Sequence, residues 1–476
     1  MNSLFKSFDN IWRLSIRYKH DFTLKENLAE IFENGTKYRN QPGTRRLFAG
    51  NLPFKLQFAA TSVINKYRNK NFRRNVHEIE NDFLRIFVAR ENESSANDSN
   101  NTKKIKVDES FNYETAVKDR EFKREMQQQQ RTLYFQKEFY NNHECASYMA
   151  ARLPANYAVL SRVMNEIRNE EPDFHPSSVF DFGSGIGTTI WAADHYWNDS
   201  IREYFCVDMN ENMNQLSREL LHRGTSNDDH ISNRIFYRQF LPAKHIPSYD
   251  LVVSAFSLLE MEDTRSRLYV IENLWQKTSG CLVLIEHGSK AGYTALMEAR
   301  NFLLQINRQI RMEPEPLRPQ SDETEIVDRL SSTSGSIMAP CPHDFVCPRQ
   351  STLHKKSYCN FGVYYQPLDY GQPNPRIKSE KFTFLIMKKH GHFQWKEEQK
   401  NWAKIIEPVA ARAGHAICRI CDNDGMLKQI IVSKSKSDRH VYKCIKSARW
   451  GDKIPMDVHE CSTATKTTDD DDSMDE

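Results

Sequence analysis

Apolar residues between positions 178 and 286 occur in short runs, separated by longer segments whose apolar residues have helical spacing. Runs of this length predict buried strands, and the intervening spacing predicts helices. Strands and helices that alternate in this way are typical of a parallel, doubly wound α/β sheet. The predicted strands are Ser178–Phe182, Glu203–Asp208, Arg234–Phe240, Asp250–Phe256 and Cys281–Glu286.

The chain on either side of this core follows different patterns. Residues 23–90 carry Phe and Leu at helical spacing, and residues 91–108 are rich in Asn, Ser and charge, which is typical of a linker. Prolines in residues 312–325 mark a boundary, and Lys381–Met387 and Gln429–Lys434 are predicted strands beyond it. We therefore expect a helical region at 23–150, an α/β domain at 151–315, a smaller strand-containing module at 326–453 and an acidic disordered tail at 454–476.

The first 22 residues interleave bulky apolar residues with cations, and Asp9 is the only acid before Asp21. An amphipathic helix of this composition predicts a mitochondrial targeting segment over residues 1–22. The alternative is the first helix of the mature fold. The apolar residues at helical spacing are Leu4, Phe5, Phe8, Ile11, Trp12 and Ile16.

Length and hydropathy limit the architecture. A chain of 476 residues exceeds one ordinary hydrophobic core, so two or three domains are expected. The mean hydropathy of −0.70 is low for a compact protein, which indicates that part of the chain is disordered or solvent-rich. No run of 18 apolar residues occurs, so we predict no membrane-spanning helix and no membrane partner.

Charge is spread unevenly along the chain. Lys and Arg outnumber Asp and Glu in residues 1–80, whereas the chain ends in the acidic stretch Asp469–Glu476. The asymmetry indicates a polyanionic partner, with a merely solvated surface as the alternative. Within the basic part, Lys66–Arg74 mixes cations that can neutralise phosphates with aromatics that can stack on unpaired bases. Snorkelling cations on an amphipathic helix give the same pattern.

A glycine turn follows the first predicted strand. The strand carries Asp181, and the chain then passes Gly183, Gly185 and Gly187 before a predicted helix. Glycine allows a ligand to approach the backbone and allows positive φ. A dinucleotide fingerprint would need glycine at position 188, which is Thr188. The shorter spacing instead resembles the first motif of class I methyltransferases, which bind S-adenosylmethionine.

That resemblance assigns roles to two carboxylates. Asp208, at the end of the second predicted strand, is placed to accept hydrogen bonds from the ribose hydroxyls. Asp181 would lie beside the amino end of the methionine. The alternative is a tight turn that binds nothing. The residues expected to bind the cofactor are Asp181, Gly183, Gly185, Gly187 and Asp208.

No catalytic group is identifiable from the sequence. Ser254–Ser257 occupies the place where methyltransferases that act on exocyclic amino groups carry an Asn/Asp-Pro-Pro-aromatic motif. No cysteine lies there to form a covalent adduct with a pyrimidine. Glu260, Glu286 and His287 are candidate bases, although each is as readily a strand-end or surface residue. A ligand-binding fold without chemistry is therefore an open alternative.

Half of the ten cysteines lie within residues 341–421, and no secretory signal precedes them. Ligating thiolates in a reduced compartment account for this better than a disulfide framework. Only one pair has the short spacing of a zinc knuckle, whereas iron–sulfur clusters tolerate wider spacing. Spacing alone leaves iron–sulfur, zinc and free buried thiols open, with His343 a possible substitute ligand. The five cysteines are Cys341, Cys347, Cys359, Cys418 and Cys421.

The order of several sequence blocks resembles the mitochondrial small-ribosomal-subunit methyltransferase-like family, which includes a ribosome assembly factor and a small-subunit protein. The Cys-Pro-His block is the most specific of them and the glycine turn the least. The blocks are Arg152–Tyr157, Asp181–Gly187, Asp250–Glu260, Leu284–Gly292, Ala339–His343 with Cys347–Pro348, and Trp450–Asp452.

The family resemblance implies a class I methyltransferase-like fold that keeps its S-adenosylmethionine pocket but has lost methyl transfer. It also implies a [4Fe–4S] cluster, whose ligands would map onto Cys341, Cys347, Cys359 and one of the pair Cys418 and Cys421, of which we choose Cys421. The implied partners are small-subunit ribosomal RNA and ribosomal proteins in the mitochondrial matrix. We expect a monomer outside the ribosome.

Three functions remain open at this point. The first is a mitochondrial ribosome assembly factor that binds ribosomal RNA. The second is an active S-adenosylmethionine-dependent RNA methyltransferase in which the cluster is a structural support. The third is a zinc-stabilised permanent protein of the small subunit.

Overall fold

A computed structural model describes residues 20–24, 28–45, 50–81, 141–224, 234–241, 247–261, 263–312, 334–350, 357–371, 376–393 and 402–460. Residues 1–19 of the proposed targeting segment, the linker at 91–108 and residues 461–476 of the proposed tail lie outside these ranges. Residues 20–22 lie in a strand, and so does most of 454–460, so the tail expected to be disordered from residue 454 is ordered at its start because it pairs with other strands. Within the ranges, no helix combines the length and the hydropathy needed to cross a bilayer.

Five parallel strands form the centre of the main sheet, in the order β4-β3-β2-β5-β6. Their bounds agree with the strands predicted from the apolar runs. Because both faces of the sheet are covered, the three strands Ser178–Phe182, Tyr249–Ala255 and Thr278–His287 are buried at nearly every position rather than at every second one. The five parallel strands are β2 (Ser178–Phe182), β3 (Glu203–Val207), β4 (Ile235–Arg238), β5 (Tyr249–Ala255) and β6 (Thr278–His287).

Helices cover both faces of this sheet. Val179 and Val253 belong to the core under one layer, whereas Phe180 and Val252 belong to the core under the other. The first layer holds α2 (Phe54–Tyr67), α3 (Asn142–Glu170), α4 (Thr188–Trp197) and α5 (Glu211–Gly224), and the second holds α6 (Thr264–Gln276) and α7 (Lys290–Met312). The strand order and the two layers confirm the predicted class I methyltransferase-like α/β fold.

Helix α3 is longer than the sequence suggests. A capping box between Asn141 and Glu144 starts it, and it continues through Pro154 to Glu170. The proline removes one helical hydrogen bond, yet 21 of the 29 residues are buried, and this packing keeps the helix continuous. The helix therefore crosses the domain division expected at residue 150.

Three antiparallel strands complete the main sheet. Strand β9 (Lys378–Lys389) pairs with β6, and β7 (Gly335–Ala339) and β8 (Phe361–Tyr365) both pair with β9. Residues 335–389 therefore belong to the central sheet, which differs from the module boundary expected at 326. The proline-rich segment before them resembles a domain boundary, but the chain returns to the same sheet after it.

A second, smaller sheet lies near the C-terminus. Its strands are β10 (Ala403–Ile405), β11 (Ala410–Ala411), β12 (His415–Cys421), β13 (Leu427–Ser433) and β14 (Lys453–Ile454), covered by α8 (Arg439–Ser447). The N-terminal segment joins this module, because Leu28 and Phe32 of α1 (Leu28–Glu33) enter its core. In addition, β1 (His20–Leu24) pairs with β15 (Met456–Glu460). The purely helical interpretation of residues 23–90 is thus only partly correct.

A buried charge cluster connects the N-terminal segment, α3 and the C-terminal module. Glu166 accepts a hydrogen bond from Arg162 at 2.9 Å, and it forms ion pairs with Arg45 at 3.1 Å and with Lys404. Glu170 pairs with Lys453 at 2.7 Å. Removing so many charges from water is costly unless they satisfy one another. The cluster consists of Arg45, Arg162, Glu166, Glu170, Lys404 and Lys453.

Candidate cofactor pocket and thiol cavity

The glycine turn lies between the end of β2 and the start of α4, at the carboxyl edge of the parallel strands. Gly183, Gly185 and Gly187 have φ values of 71°, 49° and 75°, which other residues rarely adopt. A Cβ on Gly183 would lie 1.9 Å from the Ser257 hydroxyl, so that position is closed by packing. A Cβ on Gly185 would meet nothing within 4 Å, which leaves space there for a ligand.

Asp208 follows β3 directly and faces the same turn. One carboxylate oxygen accepts from the Gly185 amide at 2.7 Å, and the other accepts from the Asn210 amide at 2.9 Å. Burial raises the pKa of Asp208, and the two backbone hydrogen bonds oppose that rise. Each oxygen keeps further acceptor capacity, so the carboxylate can still receive a pair of hydroxyl donors.

Asp181 is more deeply buried than we would expect of a residue that only contacts a ligand. It is 2% exposed within β2, and one of its carboxylate oxygens has no hydrogen-bond partner among the described residues. Burial raises the pKa of Asp181 to about 7, against a hydrogen bond from Thr189 that lowers it. The structure thus places Asp181 beneath the glycine turn, with Asp208 beside it.

Two of the three candidate bases, Glu286 and His287, are buried and make internal contacts. The Glu286 carboxylate accepts from the Leu258 amide at 2.8 Å and the Leu259 amide at 3.3 Å, and burial raises the pKa of Glu286 to about 7. These bonds hold the loop that follows β5. In that loop Phe256 has a φ of 60°, the only positive value at a non-glycine residue in the described ranges.

His287 lies beside an ion pair between Arg152 and Glu380 that the sequence did not predict. Its Nδ1 lies 3.6 Å from a Glu380 oxygen, which also accepts from Arg152 at 3.0 Å. Burial lowers the pKa of His287 to about 4, although Glu380 raises it. Arg152 and Glu380 lie 228 residues apart in sequence, so no local pattern could have linked them. Glu260, the third candidate, is exposed.

All four cysteines proposed as cluster ligands line one cavity, which we call the thiol cavity. It measures about 470 Å³ including its mouth and lies between the main sheet and the C-terminal module. Cys341, Cys347, Cys359 and Cys421 reach it from separate segments. The other lining residues are Tyr293, Met297, Pro340, Pro348, Arg349, Phe361, Thr383, Phe384, Lys404, Ile406 and Leu427.

Strand geometry separates the two cysteines of the C-terminal pair. Cys421 ends β12 and is the register partner of Lys404 on β10, and both line the thiol cavity. Cys418 is fully buried in the core of the C-terminal module, beside Ile420. Side chains one residue apart on a strand face opposite sides. Three positions separate the two cysteines, so they cannot share a face of β12.

Polar side chains contact two of the cavity thiols. The Tyr293 hydroxyl lies 3.4 Å from the Cys347 sulfur, and His343 Nε2 lies 3.4 Å from the Cys421 sulfur. Burial lowers the pKa of His343 to about 4, which keeps the ring neutral at physiological pH. His343 therefore contacts a proposed ligand rather than lining the cavity itself.

Burial raises the pKa of three cavity thiols, those of Cys341, Cys359 and Cys421. It raises the pKa of Cys341 to about 11, against Arg300, and that of Cys359 to about 12, against Arg349. Thiolate ligands must lose their protons when a metal binds. Within the described ranges, no group of three or more His, Cys, Asp and Glu side chains is arranged to hold a single metal ion.

Solved structures of methyltransferases show a weak likeness to this chain. A precorrin-6y C5,15-methyltransferase from Geobacter metallireducens has a TM-score of 0.29 at 11% identity, covering 52% of this chain and 91% of that one. A magnesium protoporphyrin IX methyltransferase from Synechocystis has a TM-score of 0.26 at 13% identity, covering 56% and 94%. Scores this low add nothing to the fold derived from the strand order.

Sequence relatives give a firmer comparison. The human ribosome assembly protein METTL17, mitochondrial, is 35% identical over 68% of this chain and 65% of its own length. The fission-yeast Rsm22-cox11 tandem protein 2, mitochondrial, is 25% identical over 68% of this chain and 45% of its own length. The chain thus matches less than two thirds of either relative.

A family model described as mitochondrial small ribosomal subunit Rsm22 matches residues 142–316 and 323–455. These ranges cover the main sheet from α3 onward, the thiol cavity and the C-terminal module. The family and both relatives are mitochondrial, which confirms the predicted localisation. The chain belongs to the Rsm22 family of the mitochondrial small ribosomal subunit.

Proposed function

We propose that this protein is an assembly factor of the mitochondrial small ribosomal subunit that binds ribosomal RNA. It would hold S-adenosylmethionine without transferring its methyl group and would carry a [4Fe–4S] cluster. The observation that carries the proposal is the convergence of four cysteines on one cavity between the two sheets, in a chain of the Rsm22 family. The similarity to the human ribosome assembly protein METTL17 supports the assembly role.

Four cysteines on one cavity suit either zinc or a cluster, and the family resemblance favours the cluster. Tetrahedral zinc with sulfur bonds of about 2.3 Å would draw its ligands to within roughly 4 Å of one another. Four thiols surround one space, so closing on a zinc ion would require them to move together. A four-iron cluster is itself several ångströms wide and takes one thiolate at each iron. Cys341, Cys347, Cys359 and Cys421 would hold it and so connect the two sheets.

A basic face on the C-terminal module supports RNA binding. Helix α8 buries Val441 and Ile445, so cations at helical spacing point away from the module core. The turn before the helix adds two exposed lysines. Fixed cations of this kind neutralise phosphates and release counterions. The basic face consists of Lys434, Lys436, Arg439, Lys443 and Lys446.

Removing part of the basic face should weaken RNA binding. We expect the triple change Lys436→Ala, Arg439→Ala and Lys446→Ala to lower the slope of log affinity against log salt by about 2 to 3, because each lost phosphate contact contributes about 0.7 to 0.9. The measurement is a filter-binding titration of the full chain with a small-subunit ribosomal RNA transcript at several salt concentrations.

The matched control removes three other exposed cations, Lys70, Arg73 and Arg74, from the segment whose composition also suggested nucleic-acid binding. Arg74 already pairs with Glu78 at 2.7 Å. A larger decrease of the salt slope in this control than in the first triple variant would indicate that the N-terminal helices bind the RNA.

Purification of the tagged chain with immature particles, rather than with mature ribosomes, separates an assembly factor from a permanent subunit.

The engaged candidate bases support binding without methyl transfer. Glu286 is fully buried with one oxygen bonded to two backbone amides, and His287 is buried beside Glu380, so neither is exposed to a substrate. Asp208 and the open side of Gly185, in contrast, form a pocket edge that a nucleoside could use. Of the three candidates only Glu260 is exposed, so the active-enzyme alternative would have to use that residue as its base.

Asp208→Ala should weaken S-adenosylmethionine binding by about 10- to 100-fold, since hydrogen bonds to a charged group contribute about 1.5–3 kcal/mol. The measurement is isothermal titration of the full chain. Asp199→Ala is the matched control, because that exposed aspartate lies before β3, at the opposite edge of the sheet. Equal binding by the wild type and Asp208→Ala would contradict the pocket. Methyl incorporation into small-subunit RNA from labelled cofactor would restore the enzyme hypothesis.

A further inference from the structure

Arg300 is a fully buried cation beside the thiol cavity. It lies on α7, and its Nη2 donates to the carbonyls of Phe345 at 2.6 Å and His343 at 3.2 Å. Both carbonyls belong to the loop that joins Cys341 to Cys347. The other guanidinium nitrogens, Nε and Nη1, are buried without a hydrogen-bond partner among the described residues. Met297, one turn earlier on α7, lines the thiol cavity, so Arg300 lies next to it.

Arg300 differs from the two cations that line the cavity. Arg349 pairs with Glu407 at 3.0 Å, and Lys404 pairs with Glu166. No carboxylate in the described part of the chain forms an ion pair with Arg300. A buried cation without a counter-charge is costly, so a fold that keeps one normally supplies an anion. A cluster held by the thiolates of the cavity would supply that anion.

We propose that Arg300 is the counter-cation of the cluster site and raises the reduction potential of the cluster held there. The inference rests on the proposed cluster and extends it to a residue outside the ligand set. Four thiolates bring net negative charge into a buried site, and one further electron adds to it. A fixed guanidinium stabilises the more negative state, because Coulomb energies are large where water is excluded. Hydrogen bonding and local charge are known to tune cluster potentials.

A purely structural role is the competing explanation. The two hydrogen bonds from Arg300 alone could hold the loop between Cys341 and Cys347 in place. Arg300→Lys retains the positive charge but not the guanidinium geometry, whereas Arg300→Gln removes the charge. The two variants therefore separate the electrostatic role from the structural one.

The experiment uses the full chain purified without oxygen, with iron and sulfide measured in each sample. A dithionite titration followed by electron paramagnetic resonance measures the one-electron reduction, with dithionite as the electron donor. We expect Arg300→Gln to lower the reduction equilibrium constant about tenfold, which is about 59 mV for one electron. Arg300→Lys should stay close to the wild type. Arg267→Gln is the control, because that guanidinium already pairs with Glu298 at 3.0 Å. The reduction potential of the cluster in this variant should equal that of the wild type.

An unchanged potential in loaded Arg300→Gln would overturn the inference and leave the cluster intact as a proposal. If Arg300→Gln does not load, Arg300→Lys decides. Loading at the wild-type potential supports a requirement for charge, and failure to load shows that only the hydrogen-bond geometry matters. A wild-type chain without iron would instead reject the cluster, and this inference with it.

Discussion

Replacing Cys421 by Ser is expected to reduce bound iron and acid-labile sulfide on the order of tenfold or more, and to destabilise the C-terminal module. Cys421 is the thiol by which β12 reaches the thiol cavity, while Cys341, Cys347 and Cys359 come from segments attached to the main sheet. Binding energy at a structural metal site acts as folding energy, so loss of this link affects both. Iron and sulfide assays with thermal unfolding measure the two effects.

Cys418→Ser is the matched control for that variant. It makes the same chemical change on the same strand, but Cys418 faces the module core. The control should keep its iron and lose only packing energy. Equal iron loss in both variants would contradict the ligand assignment. Stoichiometric zinc in place of iron and sulfide in the wild type would favour the zinc-stabilised alternative.

Replacing Glu166 by Gln is expected to lower the free energy of unfolding by about 3–5 kcal/mol, which is the usual cost of removing one partner of a buried ion pair. The change leaves Arg45, Arg162 and Lys404 without the carboxylate that they share. Burial alone would raise the pKa of Glu166, but the surrounding cations hold it well below its ordinary value. Denaturant unfolding followed by circular dichroism measures the loss.

The pH dependence of the free energy of unfolding provides a second measurement on the same charge cluster. Because the pKa of Glu166 is lower in the folded state, its contribution is complete above the ordinary value of 4.5 and is lost as the pH falls below it. The wild type should therefore lose more stability than Glu166→Gln on acidification. Glu78→Gln, which breaks an exposed pair with Arg74, should cost less than about 0.5 kcal/mol. A similar cost in both variants would contradict the role of the cluster of charges.

Local periodicity predicts the parallel half of the sheet well. The five strands from Ser178 to His287 agree with their predicted bounds to within three residues, because each is a short apolar run between clear helices. The antiparallel edge is less visible. Strand β7 follows a proline-rich segment that resembles a domain boundary, and its pairing with β9 joins residues about 50 positions apart. Such pairing leaves no local trace in the sequence.

The residues of the candidate sites likewise include some that a local sequence pattern predicts and some that it does not. The glycine turn and Asp208 follow from a strand-turn-helix pattern, and the sequence brings them together correctly at one edge of the sheet. The choice of Cys421 over Cys418 agrees with the side of β12 that lines the cavity. Arg300 and Tyr293 had no sequence signal, since each is an ordinary residue of an amphipathic helix until the thiols are packed against it.

The packing of the N-terminal segment on the C-terminal module determines the order in which parts of the chain can fold. Leu28 and Phe32 enter a core made by residues 403–456, and Gln41 bonds to the Lys453 carbonyl at 3.1 Å. When the polypeptide is delivered from its amino end, these residues emerge first and meet their partners last. Closing so long a loop is slow relative to local folding. The N-terminal segment must therefore wait for residues 403–456 before Leu28 and Phe32 can be buried.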